Sequence, residues 1–149
     1  MVCLGNICRS PLAEGILKSK LSEDFTVESA GTLENMNPGK SPDSRSVEVA
    51  KDHGMDISSQ RSQKLTAKYL EDYDMIFCMD KKNLEDVKSL ASHEDQLQKI
   101  SLLIEDGEVP DPFWSEMEDF DKVYQMLDKA SEKIAEELKE SVLKEPGKK

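Results

Sequence analysis

A loop close to the start of the chain combines a cysteine, an arginine and a glycine-asparagine pair, in the order Val2-Cys-Leu-Gly-Asn-Ile-Cys-Arg-Ser-Pro11. Five residues separate Cys3 from Arg9, and glycine and asparagine tolerate the left-handed backbone that turns successive N–H groups towards an anion. Proline in a first helical turn predicts a helix directly after Arg9, with its positive dipole end at the same point. The Arg9 guanidinium can hold two oxygens of a tetrahedral anion. Cys3 is therefore predicted to be a nucleophilic thiolate; the alternative is a cysteine merely buried in a strand-to-helix turn.

Composition limits the class of protein and its partners. The chain has 149 residues, of which 37% are hydrophobic, which predicts one domain over residues 1–149 with a frayed tail from about residue 144. The net charge of −11 argues against nucleic acid or an anionic membrane as partner, and no apolar run is long enough to span a bilayer. Three cysteines are an odd number and too few for a disulfide scaffold, so we expect a cytoplasmic protein.

Helix-favouring and strand-favouring segments alternate along the chain. Apolar runs predict strands over residues 25–30, 75–79 and 100–104. Caps and apolar periodicity predict helices over 11–21, 43–53, 66–70 and 120–138, and a further helix after Asp80. The alternation predicts an α/β fold with a parallel sheet and right-handed crossovers, in which ligands bind at the carboxyl ends of the strands.

The loop resembles the signature loop of the low-molecular-weight protein tyrosine phosphatases. The likeness continues, in the family's order, in three further blocks that extend it over nearly the whole chain: Glu28–Thr32, Cys78–Leu84 and Val109–Phe113. The resemblance implies a single three-layer α/β domain with a four-stranded parallel sheet flanked by helices. Because only Met1 and Val2 precede Cys3, we expect the first strand to be largely absent, with roughly five to eight apolar residues missing upstream.

The resemblance also implies a role for each residue of the loop. Cys3 would attack phosphorus and form a phosphocysteine, and Arg9 would bind the equatorial phosphate oxygens. Ser10 would donate its hydroxyl to the Cys3 sulfur, and the side chain of Asn6 would hold the loop in shape. Backbone N–H groups would line the cradle from Leu4, Gly5, Asn6, Ile7 and Cys8. No metal and no cofactor is implied.

Asp111 is the predicted general acid and base. It stands between Pro110 and Pro112, which favour an extended and rigid loop, and an aryl oxygen leaves poorly unless it receives a proton. Without the resemblance, Asp111 would be an ordinary surface turn residue. Phe113 and Trp114 follow it and are expected to form an apolar wall against an aromatic ring, where the family commonly has tyrosines.

Two other departures from the family concern the support of the site. Gln60 stands where many members place a histidine that buttresses the phosphate loop, and the segment 33–40 lacks an aromatic residue, with Asn35 or Met36 nearest to its place. Asp80 and Asn83 match positions that organise the acid loop, although Asp80 can equally be only an N-cap.

Three remaining side chains are given ordinary structural roles. Cys78 is expected to pack in the core, and His53 and His93 to lie on the surface at helix ends. Cys8 has two interpretations: it captures an oxidised Cys3 as a reversible disulfide, or it merely packs beneath the loop.

The predicted substrates are phosphotyrosine proteins or small aryl phosphates, with inorganic phosphate as product and no nucleic acid or membrane as partner. One alternative is arsenate reduction on the same scaffold, which usually needs a downstream pair of cysteines, whereas only Cys78 follows residue 8. The other is a non-catalytic module that binds phosphotyrosine or an oxyanion.

Overall fold

The centre of the fold is a parallel four-stranded sheet. The computed structural model describes residues 1–33, 37–105, 107–112 and 116–144. The strands are β1 (Val2–Cys3), β2 (Ala30–Gly31), β3 (Ile76–Cys78) and β4 (Ile100–Leu102), and they lie in the order β2-β1-β3-β4. β1 is thus a central strand, with Val2 opposite Ala30 on one side and Cys78 on the other.

Within the described residues, six helices connect and cover these strands. They are α1 (Arg9–Lys20), α2 (Ser44–Asp52), α3 (Ala67–Asp72), α4 (Lys81–Lys88), α5 (Glu94–Leu97) and α6 (Met117–Lys144). Asp43 and Asp80 begin α2 and α4 as N-caps, because each carboxylate accepts a hydrogen bond from a backbone N–H in the first turn. No helix in the described part of the chain is both long and apolar enough to cross a bilayer.

Two apolar cores lie on opposite faces of the sheet. α1, α2 and α6 cover one face, where Leu12, Ile16, Phe120 and Leu127 are fully buried. α3 and α4 cover the other face, with Leu70 and Val87 buried against the strands. Since neighbouring strand residues point to opposite faces, Val2 packs in the second core and Cys3 in the first. The predicted three-layer α/β architecture is confirmed.

The strands are shorter than predicted, and the predicted strand over 25–30 is wrong for most of its length. Only Ala30 continues into a ladder, because β1 offers two residues for pairing. Ahead of Ala30 in the described chain, this segment bonds towards β1 through the Glu28 carbonyl, which accepts from the Met1 amino group at 3.0 Å. Residues 24–30 and 72–77 line an apolar groove of about 510 Å³. The groove lies at the amino ends of the strands, whereas the Cys3 loop lies at their carboxyl ends.

The helix predictions hold with shifted ends. α3 continues two residues beyond Leu70, and α6 extends from Met117 to Lys144 rather than ending near residue 138. α5 was not predicted, because four residues carry no apolar period. The ring of His53, at the end of α2, stacks on Tyr124 of α6 at 3.8 Å, whereas exposed His93 precedes α5. Cys78 is fully buried, as predicted; residues 145–149 of the expected tail lie outside the described residues.

Candidate active site

The loop between β1 and α1 lies at the carboxyl end of the sheet, directly before the first turn of α1. Asn6 has the unusual backbone conformation in this loop: among the described residues it is the one non-glycine residue with a positive φ, at 57°. Gly5, which was expected to share this role, does not have a positive φ. Asparagine adopts the left-handed region at low cost because its short amide can bond locally. The tight curl of the loop therefore depends on Asn6.

Hydrogen bonds to the side chain of Asn6 fix the loop from inside. The Asn6 Oδ1 accepts from the backbone N–H of Gln63 at 2.9 Å, and its Nδ2 donates to Ser10 Oγ at 2.8 Å and to Ser29 Oγ at 2.9 Å. Ser29 in turn donates to Glu14 Oε1 at 2.8 Å. All these side chains except that of Gln63 are buried, so the structure connects Asn6 as the resemblance implied and adds three partners that the sequence did not point out.

Cys3 and Ser10 face each other beneath the loop. Cys3 is 3% exposed, and its Sγ lies 2.9 Å from Ser10 Oγ. A hydroxyl at this distance can donate to a thiolate, and hydrogen bonding to the charged form favours that form. The geometry is the one that the resemblance implies for a nucleophile and its donor.

Arg9 joins the loop to two other segments. Its guanidinium is 2% exposed, and Nη1 donates to Asp80 Oδ2 at 2.8 Å and to the Val109 carbonyl at 2.9 Å. Asp80 also caps α4, because its Oδ1 accepts from the Asn83 N–H at 2.8 Å. It is therefore an N-cap that also binds Arg9. With Nη1 held in this way, the plane of the guanidinium fork is fixed at the mouth of the loop.

Asp111 lies beside Arg9, although the two residues are far apart in the sequence. The distance from Arg9 Nη2 to Asp111 Oδ2 is 3.7 Å, and the Asp111 side chain is 41% exposed. Its loop is anchored at Val109, whose N–H donates to the Met79 carbonyl at 2.8 Å beyond the end of β3. Asp111 is thus held near the loop with its side chain partly exposed to solvent. Phe113, Trp114, Asn35 and Met36 lie outside the described residues, so the predicted apolar wall stays a prediction.

The underside of the loop rests on α2. The Asp43 N–H donates to the Ile7 carbonyl at 2.7 Å, and Ser46 Oγ donates to the Cys8 carbonyl at 3.3 Å. Burial raises the pKa of the Cys8 thiol to about 12, and the nearby Asp43 carboxylate adds to the shift. Cys8 is therefore a neutral thiol at physiological pH.

Gln60 does not replace the family's histidine. Its Nε2 donates to the Pro11 carbonyl at 2.9 Å and so supports the first turn of α1, while its buried Oε1 has no hydrogen-bond partner within the described residues. Support for Asn6 comes three residues later, from the backbone N–H of Gln63. No local pattern in the sequence distinguishes these two glutamines.

No metal ligand set accompanies this geometry: the parts of the chain that the structure describes hold no group of three or more histidine, cysteine, aspartate or glutamate side chains suited to an ion. The positive groups at the loop are Arg9, the backbone N–H groups and the start of α1.

Comparison with known proteins identifies the family. The family model described as low molecular weight phosphotyrosine protein phosphatase matches residues 1–144. The chain belongs to this family. The Escherichia coli K12 low molecular weight protein-tyrosine-phosphatase Etp is 34% identical over 140 residues, which cover 93% of this chain and 92% of that protein. The Sus scrofa low molecular weight phosphotyrosine protein phosphatase is 31% identical over 143 residues, covering 83% and 84%.

Solved phosphatase structures share the fold. The Vibrio vulnificus Wzb structure in complex with benzylphosphonate has a TM-score of 0.84 at 35% identity, covering 91% of this chain and 94% of that one. An arginine phosphatase, YwlE from Geobacillus stearothermophilus, reaches a TM-score of 0.90 over 99% and 96% of the two chains; at 23% identity it shows the fold alone. The protein is thus a protein tyrosine phosphatase of the low molecular weight family.

The buried Cys78 thiol should make the free energy of unfolding of this phosphatase fall as the pH rises into the alkaline range. Burial raises the pKa of Cys78 from 9.0 to about 12. Above about pH 9 the unfolded chain releases this proton while the folded protein keeps it, so the free energy of unfolding should fall by about 1.4 kcal/mol per pH unit from this thiol. Cys78→Ala removes this contribution. We expect its unfolding free energy, from urea titrations at about pH 8, 9 and 10, to fall less steeply than that of the wild type; equal slopes would contradict the assignment.

Proposed function

We propose that this phosphatase hydrolyses aryl phosphate monoesters, with phosphotyrosine proteins as the natural substrate class, through a phosphocysteine at Cys3. The observation that supports the proposal is that Cys3, Arg9 and Asp111 lie together at the carboxyl end of the sheet. The distance from Arg9 Nη2 to Asp111 Oδ2 is 3.7 Å. In the first step, the Cys3 thiolate attacks phosphorus, and the bond from phosphorus to the aryl oxygen breaks. Asp111 gives its proton to that oxygen.

The second step restores the enzyme. Water attacks the phosphocysteine, the Asp111 carboxylate takes a proton from that water, and the bond from phosphorus to sulfur breaks. Inorganic phosphate leaves, and Cys3 returns as a thiolate that the Ser10 hydroxyl stabilises from 2.9 Å. The same carboxyl group therefore serves as acid and then as base.

Charge on the phosphoryl oxygens is met by groups fixed before substrate binds. Arg9 is held by Asp80 and the Val109 carbonyl. In our proposal the N–H groups of residues 4–8 would line the anion site together with the start of α1. Such preorganised donors stabilise the transition state without reorganising during the reaction. This set neutralises a phosphate with no metal and no cofactor.

The alternative reactions receive less support from the geometry. Arsenate reduction would need Cys78 as a relay thiol, but Cys78 packs in the core on the other face of the sheet from Cys3 and is fully buried. A pure binding module would not need an acid beside the arginine, whereas Asp111 is placed there. A cytoplasmic location is part of our proposal, supported by three cysteines that are all free thiols.

Replacing the acid should slow the reaction according to the leaving group. We expect Asp111→Asn to lower the kcat/KM for phenyl phosphate by roughly 10²–10⁴, because the poor leaving group then departs without a proton. The comparison uses kcat/KM because kcat also includes hydrolysis of the phosphocysteine, which is the same step for both substrates. For p-nitrophenyl phosphate, whose leaving group needs less help, the loss should be smaller. Asp24→Asn, at an exposed position near the opposite edge of the sheet, is the matched control and should behave as wild type. Equal losses for the two substrates would exclude Asp111 as the acid.

Oxidation should select Cys3 among the three cysteines. Cys8 and Cys78 are neutral thiols, since burial raises the pKa of each to about 12, and a thiolate reacts with peroxide far faster than a thiol. Peroxide would transfer one oxygen to the Cys3 sulfur, and attack by Cys8 on the resulting sulfenic acid would release water and form a disulfide.

Peptide mapping after mild peroxide tests this order. We expect modification at Cys3 while Cys78 remains a thiol. A Cys3–Cys8 link supports the protective role of Cys8, irreversible sulfinic acid at Cys3 supports the packing role, and earlier oxidation of Cys78 contradicts the proposal.

A further inference from the structure

Glu14 is a buried carboxylate that the proposed reaction does not use. It lies on α1 and is 7% exposed, and carboxylates are buried to this extent almost only when paired. Its Oε2 forms an ion pair with Lys18 Nζ at 2.9 Å, on the solvent side, and its Oε1 accepts from Ser29 Oγ at 2.8 Å, on the inner side. The inner bond connects Glu14 to the network beneath the loop.

The donors and acceptors of Gln63, Asn6, Ser29 and Ser10 set the directions of the hydrogen bonds in that network. The backbone N–H of Gln63 can only donate, so the oxygen of the Asn6 amide must face it, and the amide nitrogen must face the two hydroxyls. Ser10 and Ser29 therefore each accept from Asn6, and each has one hydrogen left to donate. The Ser29 hydrogen goes to Glu14. When Cys3 is a thiolate, which can only accept, the Ser10 hydrogen goes to Cys3 Sγ.

We propose that Glu14 is a positioning residue for the Cys3 thiolate. By accepting from Ser29, its carboxylate keeps a lone pair of Ser29 turned towards Asn6. Asn6 in turn holds the Ser10 oxygen at 2.8 Å, which leaves the Ser10 hydrogen directed at the Cys3 sulfur when that sulfur is a thiolate. The proposal rests on the proposed role of Cys3 as nucleophile. It also assigns to Glu14 and Ser29 part of the loop support that Gln60 does not give.

The charge of Glu14 and its hydrogen bond act on Cys3 in opposite directions. A nearby negative charge disfavours a second one at sulfur, whereas a correctly directed hydroxyl favours the thiolate. The other ionisable groups that face this network or pair with its members are the Met1 amino group, Glu28, Cys8, Arg9, Lys18, Asp80 and Asp111. Replacing Glu14 changes none of them chemically, although Lys18 loses its ion-pair partner. A variant without the carboxylate therefore separates the two effects by the sign of the change.

The test compares two replacements of Glu14 by the rate at which iodoacetamide alkylates Cys3, followed by peptide mass spectrometry across the pH range. Glu14→Met removes the acceptor, and we expect the midpoint of the alkylation profile to move up by roughly one pH unit, which is about tenfold less thiolate on its acid side. Glu14→Gln removes the charge but keeps an acceptor oxygen, and its midpoint should stay close to that of the wild type. A downward movement for Glu14→Met, or equal movements for both variants, would mean that charge alone acts and would overturn the proposal.

Ser29→Ala provides a second route to the same answer. It removes the link between Glu14 and Asn6 without touching α1, and we expect the same upward movement of the midpoint. If Glu14 acts through Ser29, the double variant Glu14→Met/Ser29→Ala should move no further than Ser29→Ala alone. An unchanged midpoint in Ser29→Ala, or additive movements, would overturn the proposal. Because alkylation needs no turnover, a chain that lacks phosphatase activity would contradict the proposed function and leave this result readable.

Discussion

The buried guanidinium of Arg9 is the constraint around which the site is built. A cation that is 2% exposed is tolerated only with good partners, since an unpaired buried charge costs several kcal/mol. Its partners come from two distant segments: Asp80 at the start of α4, and the Val109 carbonyl at the start of the acid loop. The hydrogen bonds of Arg9 therefore hold the start of α4 and the segment from Val109 to Asp111 against the loop after β1. This contact places Asp111 next to Arg9.

The sheet supplies the platform for this arrangement with little regular structure. β1 has two residues, but backbone pairing continues past it, from Thr32 N–H to the Cys3 carbonyl at 3.1 Å and from Leu33 N–H to the Leu4 carbonyl at 2.9 Å. Cys3 thus lies on paired backbone and packs against α1, α2 and α6 in the first core. The turn at Asn6 therefore starts from a fixed point. Rigid support of this kind keeps catalytic groups within their productive geometry.

The parts of the protein that the sequence predicted well are those with local signals. The spacing from Cys3 to Arg9, the prolines around Asp111 and the periodicity of α6 each depend on neighbours in the chain. The strand over 25–30 was predicted wrongly because ladder formation depends on a partner strand, and on this side β1 pairs with Ala30 and Gly31 but with none of residues 25–29. The contacts from Asn6 to Gln63 and from Ser29 to Glu14 were missed because they join segments far apart in sequence. Only the folded arrangement shows which glutamine or glutamate takes part.

The most direct test of the account is to trap the covalent intermediate. A rapid acid quench of the enzyme with p-nitrophenyl phosphate, followed by peptide mass spectrometry, shows which side chain carries the phosphoryl group. We expect one phosphoryl group on the wild-type peptide that contains Cys3. The corresponding peptide of Cys3→Ser should carry none, and that variant should also lack turnover. A phosphoryl group on any other residue, or full activity in Cys3→Ser, would contradict it.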